Sequence, residues 1–320
     1  MRDIDEAVSA AQSVGGELIA RVARLWEPIT DEATTDANLQ AMRDAYEQLH
    51  AQFPIPDGVQ VRPVNAGGVN SLVVSAEPAD PPTIILLHGG GFVLGSAFGY
   101  RPLAGALGAA AGTGVLVPDF RLAPEHPHPA ALDDALASYL WLLEQGVEPG
   151  TVAVCGDSAG GGLAMALLLA LKDRDLPLPG GGILLCPAVD VEGNLQDPDD
   201  PRHVMTFEVT SRFTKAYLGD HPPDDPIISP LYADLTGLPP LLIQGASGDH
   251  VIADAHALAK RARKHGVYAR LDVYPVEAHV FQLFWSFLPE AAEAMEKAGT
   301  FARDIREAAA PGRAEDATGA

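Results

Sequence analysis

The sequence predicts an α/β fold in which a mainly parallel sheet is covered by helices on both faces. From about residue 82, short β-rich runs alternate with helix-like stretches, the order produced by repeated strand–helix units. The runs are continuously apolar rather than alternating apolar and polar, which marks strands buried on both sides. With 320 residues and 47% apolar composition, the chain can bury a large core as one domain, or as a domain with an added cap.

The elements follow in order. Leu39, Met42, Tyr46, Leu49 and Phe53 recur at steps of three and four, so residues 38–53 read as an amphipathic helix whose apolar stripe needs something to cover. Segment 57–77 reads as two strands around a turn, an antiparallel edge for the sheet. The strands of the alternating region are TIILLH (83–88), GVLVP (114–118), TVAVC (151–155), GILLC (182–186), LLIQGA (241–246) and ARLDVYPV (269–276). Helix candidates lie at 131–145 and 253–266, and AMALLLAL continues another after residue 163. An insertion at about 190–235 is rich in Asp and Pro, with a helix-like FEVTSRFTKAYLGD inside it. Insertions after strands of such a sheet lie over the strand ends and shape the pocket there. The tail 308–320 is expected to be disordered. No internal repeat is present.

Charge and cysteine content exclude several function classes. Lys and Arg number 21 against 43 Asp and Glu, a formal charge of −22 that repels phosphate backbones and anionic headgroups. No nucleic acid and no membrane is therefore expected as a partner. Cys155 and Cys186 each sit in an apolar strand, where a thiol behaves as a small hydrophobe, so no disulfide framework is indicated. The N-terminus lacks the basic start and long apolar run of a signal peptide, and no run approaches the length of a membrane span. The expectation is a soluble, cytoplasmic protein.

The chemistry is carried by CGDSAGGGL (155–163). A nucleophile elbow needs a strand, a turn so tight that small residues flank the serine, and a helix whose N-terminus points at the reacting centre. TVAVC, GDSAG and GGLAMALLLAL supply these in order, which makes Ser158 the candidate nucleophile; the alternative is a glycine turn in which Ser158 only caps the helix. HGGGF (88–92) leaves the strand TIILL, and consecutive glycines let backbone N–H groups converge on an oxyanion. Gly89 and Gly90 are the candidate donors, joined by Ala159.

A serine needs a base, and the base an orienting acid, arranged in chain order after the elbow. His279, just past ARLDVY, fits the base among ten histidines. Asp249 follows the strand LLIQ directly and fits the acid, with Asp254, about one helical turn later, as the alternative.

Together HGGGF, FRLAPEHPHPA (120–130) and GDSAGG resemble the bacterial hormone-sensitive-lipase family of α/β-hydrolase esterases, and SPLYADLTGLPPLLIQ (229–244) is similar to that family's approach to the acid. The resemblance covers about residues 40–305. It implies Ser158, Asp249 and His279 as the triad and Gly89, Gly90 and Ala159 as oxyanion donors. It also implies a cap built from residues 1–55 and 190–235 over a core at 56–189 and 236–307. GASGDHVIADA and EAHVFQLF resemble the monoterpene lactone hydrolase branch, which brings lactones in as a substrate class. Two departures stand out: Asp249-His250-Val251 replaces a common D-P-L, and the aromatic pair after HGGG is reduced to Phe92-Val93. Phe92 and Phe281 are candidate pocket residues.

The expected activity is serine carboxylesterase chemistry on short to medium acyl esters or lactones, without cofactor or metal; a homodimer is left open. GDSAGG is similar to the GDSGG of trypsin-like proteases, but parallel-sheet alternation and two strand cysteines exclude that fold. Small-molecule amidases and formamidases share HGGG and G-x-S-x-G and stay open as an alternative. A non-catalytic binder of this family lacks the base, which here is present as His279.

Overall fold

The computed structural model describes residues 39–76, 81–193 and 207–309, together with residues 17, 21, 22, 24–26 and 195. Most of the expected cap segment before residue 39, residues 194 and 196–206 of the expected insertion at 190–235, and the tail beyond 309 lie outside the described residues.

In chain order the elements are α1 (Leu39–His50), β1 (Gln60–Ala66), β2 (Val69–Ser75), β3 (Ile84–Leu87), α2 (Arg101–Ala111), β4 (Val115–Pro118), α3 (Ala130–Glu144), β5 (Ala153–Asp157), α4 (Ala159–Asp173), β6 (Gly181–Leu185), α5 (Phe207–Leu218), β7 (Leu241–Ala246), α6 (Ile252–Lys264), β8 (Ala269–Tyr274) and α7 (Pro289–Ala309). The eight strands form one sheet in the order β1-β2-β4-β3-β5-β6-β7-β8. β1 and β2 make the antiparallel hairpin expected at 57–77, with Gln60 opposite Ser75 and Ala66 opposite Val69. β2 pairs antiparallel with β4; every later pairing is parallel.

β3 to β7 are buried at every position. Their side chains alternate between two cores, as a pleated strand requires. Ile84, Leu86, Cys155 and Ile183 point to the face that also holds Tyr46, Leu107 and Met295. Ile85, Leu87, Val154 and Leu184 point to the face of Leu136, Leu163 and Leu258. Continuous apolarity in the sequence thus reflects helices on both faces. α2 and α7 were not singled out by sequence patterning. α2 reads RPLAGALGAAA, too small and evenly apolar to show a stripe, and its close partner α7 packs so tightly that a Cβ on Gly299 would lie 2.6 Å from the Cβ of Ala110.

Among the described residues no helix is long and apolar enough to cross a membrane. The loops that leave β3, β5, β6, β7 and β8 all open at the carboxyl end of the parallel strands, where ligands bind in sheets of this kind.

Candidate active site

The turn from β5 into α4 holds Ser158 at φ 52°, ψ −122°, a backbone conformation that a non-glycine residue rarely adopts. Two glycines make it sterically possible. A Cβ on Gly156 would strike the Gly160 carbonyl, and one on Gly160 would strike the Leu87 and His88 carbonyls of the neighbouring strand. The Ser158 N–H donates to Leu185 O at 2.9 Å, and its carbonyl accepts from Gly161 and Ala188 at 2.9 and 3.0 Å, so the strained residue is tied to both β6 and α4. No side-chain capping bond runs from Ser158 to α4. Its Oγ instead lies 2.8 Å from His279 Nε2.

His279 sits after β8, and its Nδ1 lies 2.9 and 3.0 Å from the two carboxylate oxygens of Asp249. Asp249 comes from the loop after β7 and is 1% exposed. Burial works to raise the Asp249 pKa, but the charge and hydrogen bonds of His279 and the adjoining His250 outweigh it and hold the group well below the usual carboxylate range. Burial likewise pulls the His279 pKa down, while Asp249, with Asp157 and Asp254 behind it, pushes harder and leaves it above the ordinary value. Asp254 does not reach His279 in this arrangement. Its Oδ2 accepts from the backbone N–H groups of Val189 and Asp190 at 2.9 and 3.1 Å, and burial raises its pKa to about 7.

The glycine loop departs from expectation at one residue. The Gly89 N–H donates to Asp157 Oδ1 at 2.9 Å and lies 3.1 Å from the Tyr100 hydroxyl, so it is directed beneath the loop. Gly90, Gly91 and Ala159, by contrast, line the same pocket as Ser158 and His279, and Gly89 does not. The N–H groups of Gly90 and Gly91 have no backbone acceptor among the described residues, and the first N–H of a helix such as that of Ala159 has none within the helix. Gly89, a candidate donor in the sequence, thus has its N–H turned beneath the loop, and Gly90 and Gly91 are the glycines of HGGG that face the pocket. The anchor belongs to a buried chain in which the Tyr100 hydroxyl donates to Asp157 Oδ2 at 2.8 Å and stands 2.9 Å from the Tyr46 hydroxyl. Burial lifts the Asp157 pKa to about 7 against the pull of these donors.

Above the triad lies a cavity of ≈ 160 Å³. Phe92 lines it, its ring stacked on Tyr217 of α5 with centroids 3.7 Å apart. Phe281 does not line it: the residue is fully buried in a short 3₁₀ turn, its ring 5.0 Å from that of Tyr274, because the turn after His279 sends it into the core. Trp26, Asp190, Glu192 and Phe213 also line the cavity and carry no functional signal in the sequence; Tyr46 shows there only as part of an apolar stripe, and His250 only as the break from D-P-L. The His250 Nδ1 lies 3.2 Å from Asp249 Oδ1 and its ring 4.8 Å from that of His279. Cys186, read as a plain core thiol, has its pKa raised by burial and by the neighbouring Asp249.

Asp249, His250 and His279 place one potential metal ligand atom each within 4.8 Å of one another. Both ring nitrogens of His279 are already engaged, one by Asp249 and one by Ser158.

Comparison with known proteins bears on the fold and the family. A model of the α/β hydrolase fold family matches residues 84–283, a span that contains Ser158, Asp249, His279 and the glycine loop. A solved esterase from the bacterial hormone-sensitive lipase family superposes with a TM-score of 0.84 at 37% identity, over 90% of this chain and 98% of that one. The chain belongs to that α/β-hydrolase family. An acetyl-hydrolase of Streptomyces hygroscopicus is 39% identical over 276 residues, covering 84% of this chain and 91% of the relative. An esterase of Acinetobacter venetianus is 34% identical over 269 residues, covering 83% and 89%. Membership of the family thus rests on nearly the whole length of these relatives. The strands and loops that carry the site all fall inside the matched span.

Proposed function

We propose that the chain is a serine carboxylesterase that cleaves short to medium acyl esters or lactones through an acyl-enzyme. The observation that carries this reading is the hydrogen-bonded chain Ser158 Oγ–His279–Asp249, at 2.8 and 2.9 Å, on the floor of a cavity. The Streptomyces relative's designation as an acetyl-hydrolase supports a short acyl group.

In this mechanism Ser158 Oγ attacks the ester carbonyl carbon as its proton passes to His279 Nε2. The carbonyl electron pair moves onto oxygen, and the resulting oxyanion accepts hydrogen bonds from the N–H groups of Gly90, Gly91 and Ala159. Collapse breaks the bond to the alcohol oxygen, which takes the proton from Nε2. Water then attacks acyl-Ser158 with His279 again as base, and the second collapse frees the acid and restores the serine. Asp249 holds the imidazole with Nδ1 protonated and stabilises the imidazolium formed in each half-reaction. Residues 1–55 and 190–235 act as the cap in this reading, since Trp26, Tyr46 and α5 supply pocket wall.

Ser158→Ala tests it. The variant keeps wild-type thermal unfolding and loses roughly three or more orders of magnitude in p-nitrophenyl acetate turnover; retained turnover returns Ser158 to a capping role. Across p-nitrophenyl esters, acetate and butyrate are cleaved faster than laurate, and the reverse order contradicts the short-acyl assignment.

A further inference from the structure

Two glutamines are out of place in the core. Gln244 interrupts the apolar strand β7, LLIQGA, and Gln282 interrupts the turn FQLF that follows His279; both are 0% exposed. The neighbours of Gln282 in that turn, Phe281, Leu283 and Phe284, are buried as well. An amide is costly in such a place unless its polar atoms are paired. Here they are paired head to tail. Gln282 Oε1 accepts from the Cys186 thiol at 3.7 Å, Gln282 Nε2 donates to Gln244 Oε1 at 3.2 Å, and Gln244 Nε2 donates to Ala294 O of α7 at 2.8 Å. Burial and the neighbouring Asp249 raise the Cys186 pKa, so the thiol keeps the proton it donates.

These bonds run between the loops that carry Ser158, Asp249 and His279. Leu185 O and Ala188 N, on either side of Cys186, hold the Ser158 backbone, and the Cys186 N–H donates to Gln244 O at 2.7 Å in the strand that leads to Asp249. Gln282 lies in the turn just after His279. The segment that bears His279 has few other polar ties: among the described residues no backbone–backbone hydrogen bond joins residues 277–281 to another part of the chain, and Val280 takes a left-handed conformation at φ 46°. We propose that Gln282 is a positioning residue for the base: its carboxamide, held between Cys186 and Gln244, sets where the segment bearing His279 leaves the core and thereby the approach of His279 Nε2 to Ser158 Oγ. This rests on the ester-hydrolase reading above and adds to it the side chain that aims the base. A purely structural amide matters for stability alone; a positioning amide matters for kcat even when stability has been restored.

Gln282→Met, Gln244→Met and the double variant separate the two roles, since methionine is unbranched, of similar length and without the amide. Gln282→Met leaves Gln244 Oε1 unpaired in the core and lowers the melting temperature; the double variant removes both partners and recovers most of that loss. Kinetics are measured with p-nitrophenyl acetate well below every melting point. In Gln282→Met kcat falls by about 10- to 10²-fold and stays low in the double variant, while KM changes by less than about threefold, because a small misplacement of the base slows proton transfer without weakening substrate binding. A double variant whose kcat returns together with its melting temperature, a folded Gln282→Met enzyme within about threefold of wild-type kcat, or a loss expressed in KM instead of kcat overturns the inference. If Gln282→Met yields no folded protein, the double variant and Gln244→Met, in which the His279 turn itself is unchanged, decide by the same kcat threshold. Failure of all three to fold assigns the amides to folding alone and also overturns it. Ser158→Ala is run beside them: turnover that survives it removes the esterase reading itself, an outcome distinct from all of these.

Discussion

Replacing Asp249 by Asn separates the two carboxylates that compete for the role of triad acid. The amide is nearly isosteric with a side chain that is 1% exposed, so the loop after β7 keeps its shape. What changes is the partner of His279 Nδ1, now 2.9 Å from a carboxylate oxygen. Charge loss alone is sizeable: a pair about 4 Å apart at an effective dielectric near 20 interacts by about 4 kcal/mol. If that stabilisation belongs to the imidazolium in the transition state, its loss slows acylation by about three orders of magnitude. An amide N–H facing Nδ1 also favours the tautomer with the proton on Nε2, where His279 donates to Ser158 instead of accepting, and brings the total to as much as about four orders. The pH profile shifts as well. Wild-type activity falls as pH drops through the raised His279 pKa, because only the neutral ring is a base. Without Asp249 the burial that lowers this pKa meets less opposition, so the acid limb of the residual activity moves to lower pH. The assay is kcat/KM for p-nitrophenyl acetate from about pH 5 to 9 on purified proteins, with thermal melts confirming folding. Asp254→Asn is the comparison: its remaining carbonyl oxygen can still accept from Val189 and Asp190, and its loss stays within about tenfold. A larger loss at Asp254 than at Asp249, or an Asp249→Asn enzyme within tenfold of wild type, refutes the assignment.

Two other predictions follow from the loops around Ser158. Gly160→Ala drives a methyl group into the Leu87 and His88 carbonyls, and urea unfolding should show a loss of about 1–3 kcal/mol or more, with no soluble folded protein at the extreme. Asp157→Ala removes the acceptor that holds the Gly89 N–H, so the adjoining donors lose their aim; kcat falls by about 10²-fold while KM changes little, and an equal change in both would mean that the loop serves ground-state binding instead.

Much of the protein is legible before folding because its signals are local. β3 to β7 are buried on both faces, so each reads as an unbroken apolar run, and the hairpin β1–β2 is announced by two strand-like runs around Gly67-Gly68. GDSAG is equally local: the strain at Ser158 and the contacts at Gly156 and Gly160 are set by a handful of consecutive residues, and only small ones fit. The order of Ser158, Asp249 and His279 follows from strand succession, since each leaves the carboxyl end of a parallel strand.

What tertiary structure decided is of another kind. Which glycine N–H faces the pocket depends on a peptide plane fixed by Asp157, a residue 68 positions away, so nothing within HGGG distinguishes Gly89 from Gly91. Asp249 and Asp254 are both acids near the end of β7, and only the placement of Val189 and Asp190 from the loop after β6 shows that Asp254 serves a backbone turn. Phe281 and Phe92 are alike in sequence context, each just past a catalytic loop, yet a 3₁₀ turn buries one in the core while the other lines the cavity. The pocket wall is drawn from Trp26, Tyr46, the loop after β6 and α5, segments far apart in the chain. Their individual side chains carry no periodic mark of convergence, because the requirement they meet is the shape and charge of a cavity, which exists only once the chain has closed around it.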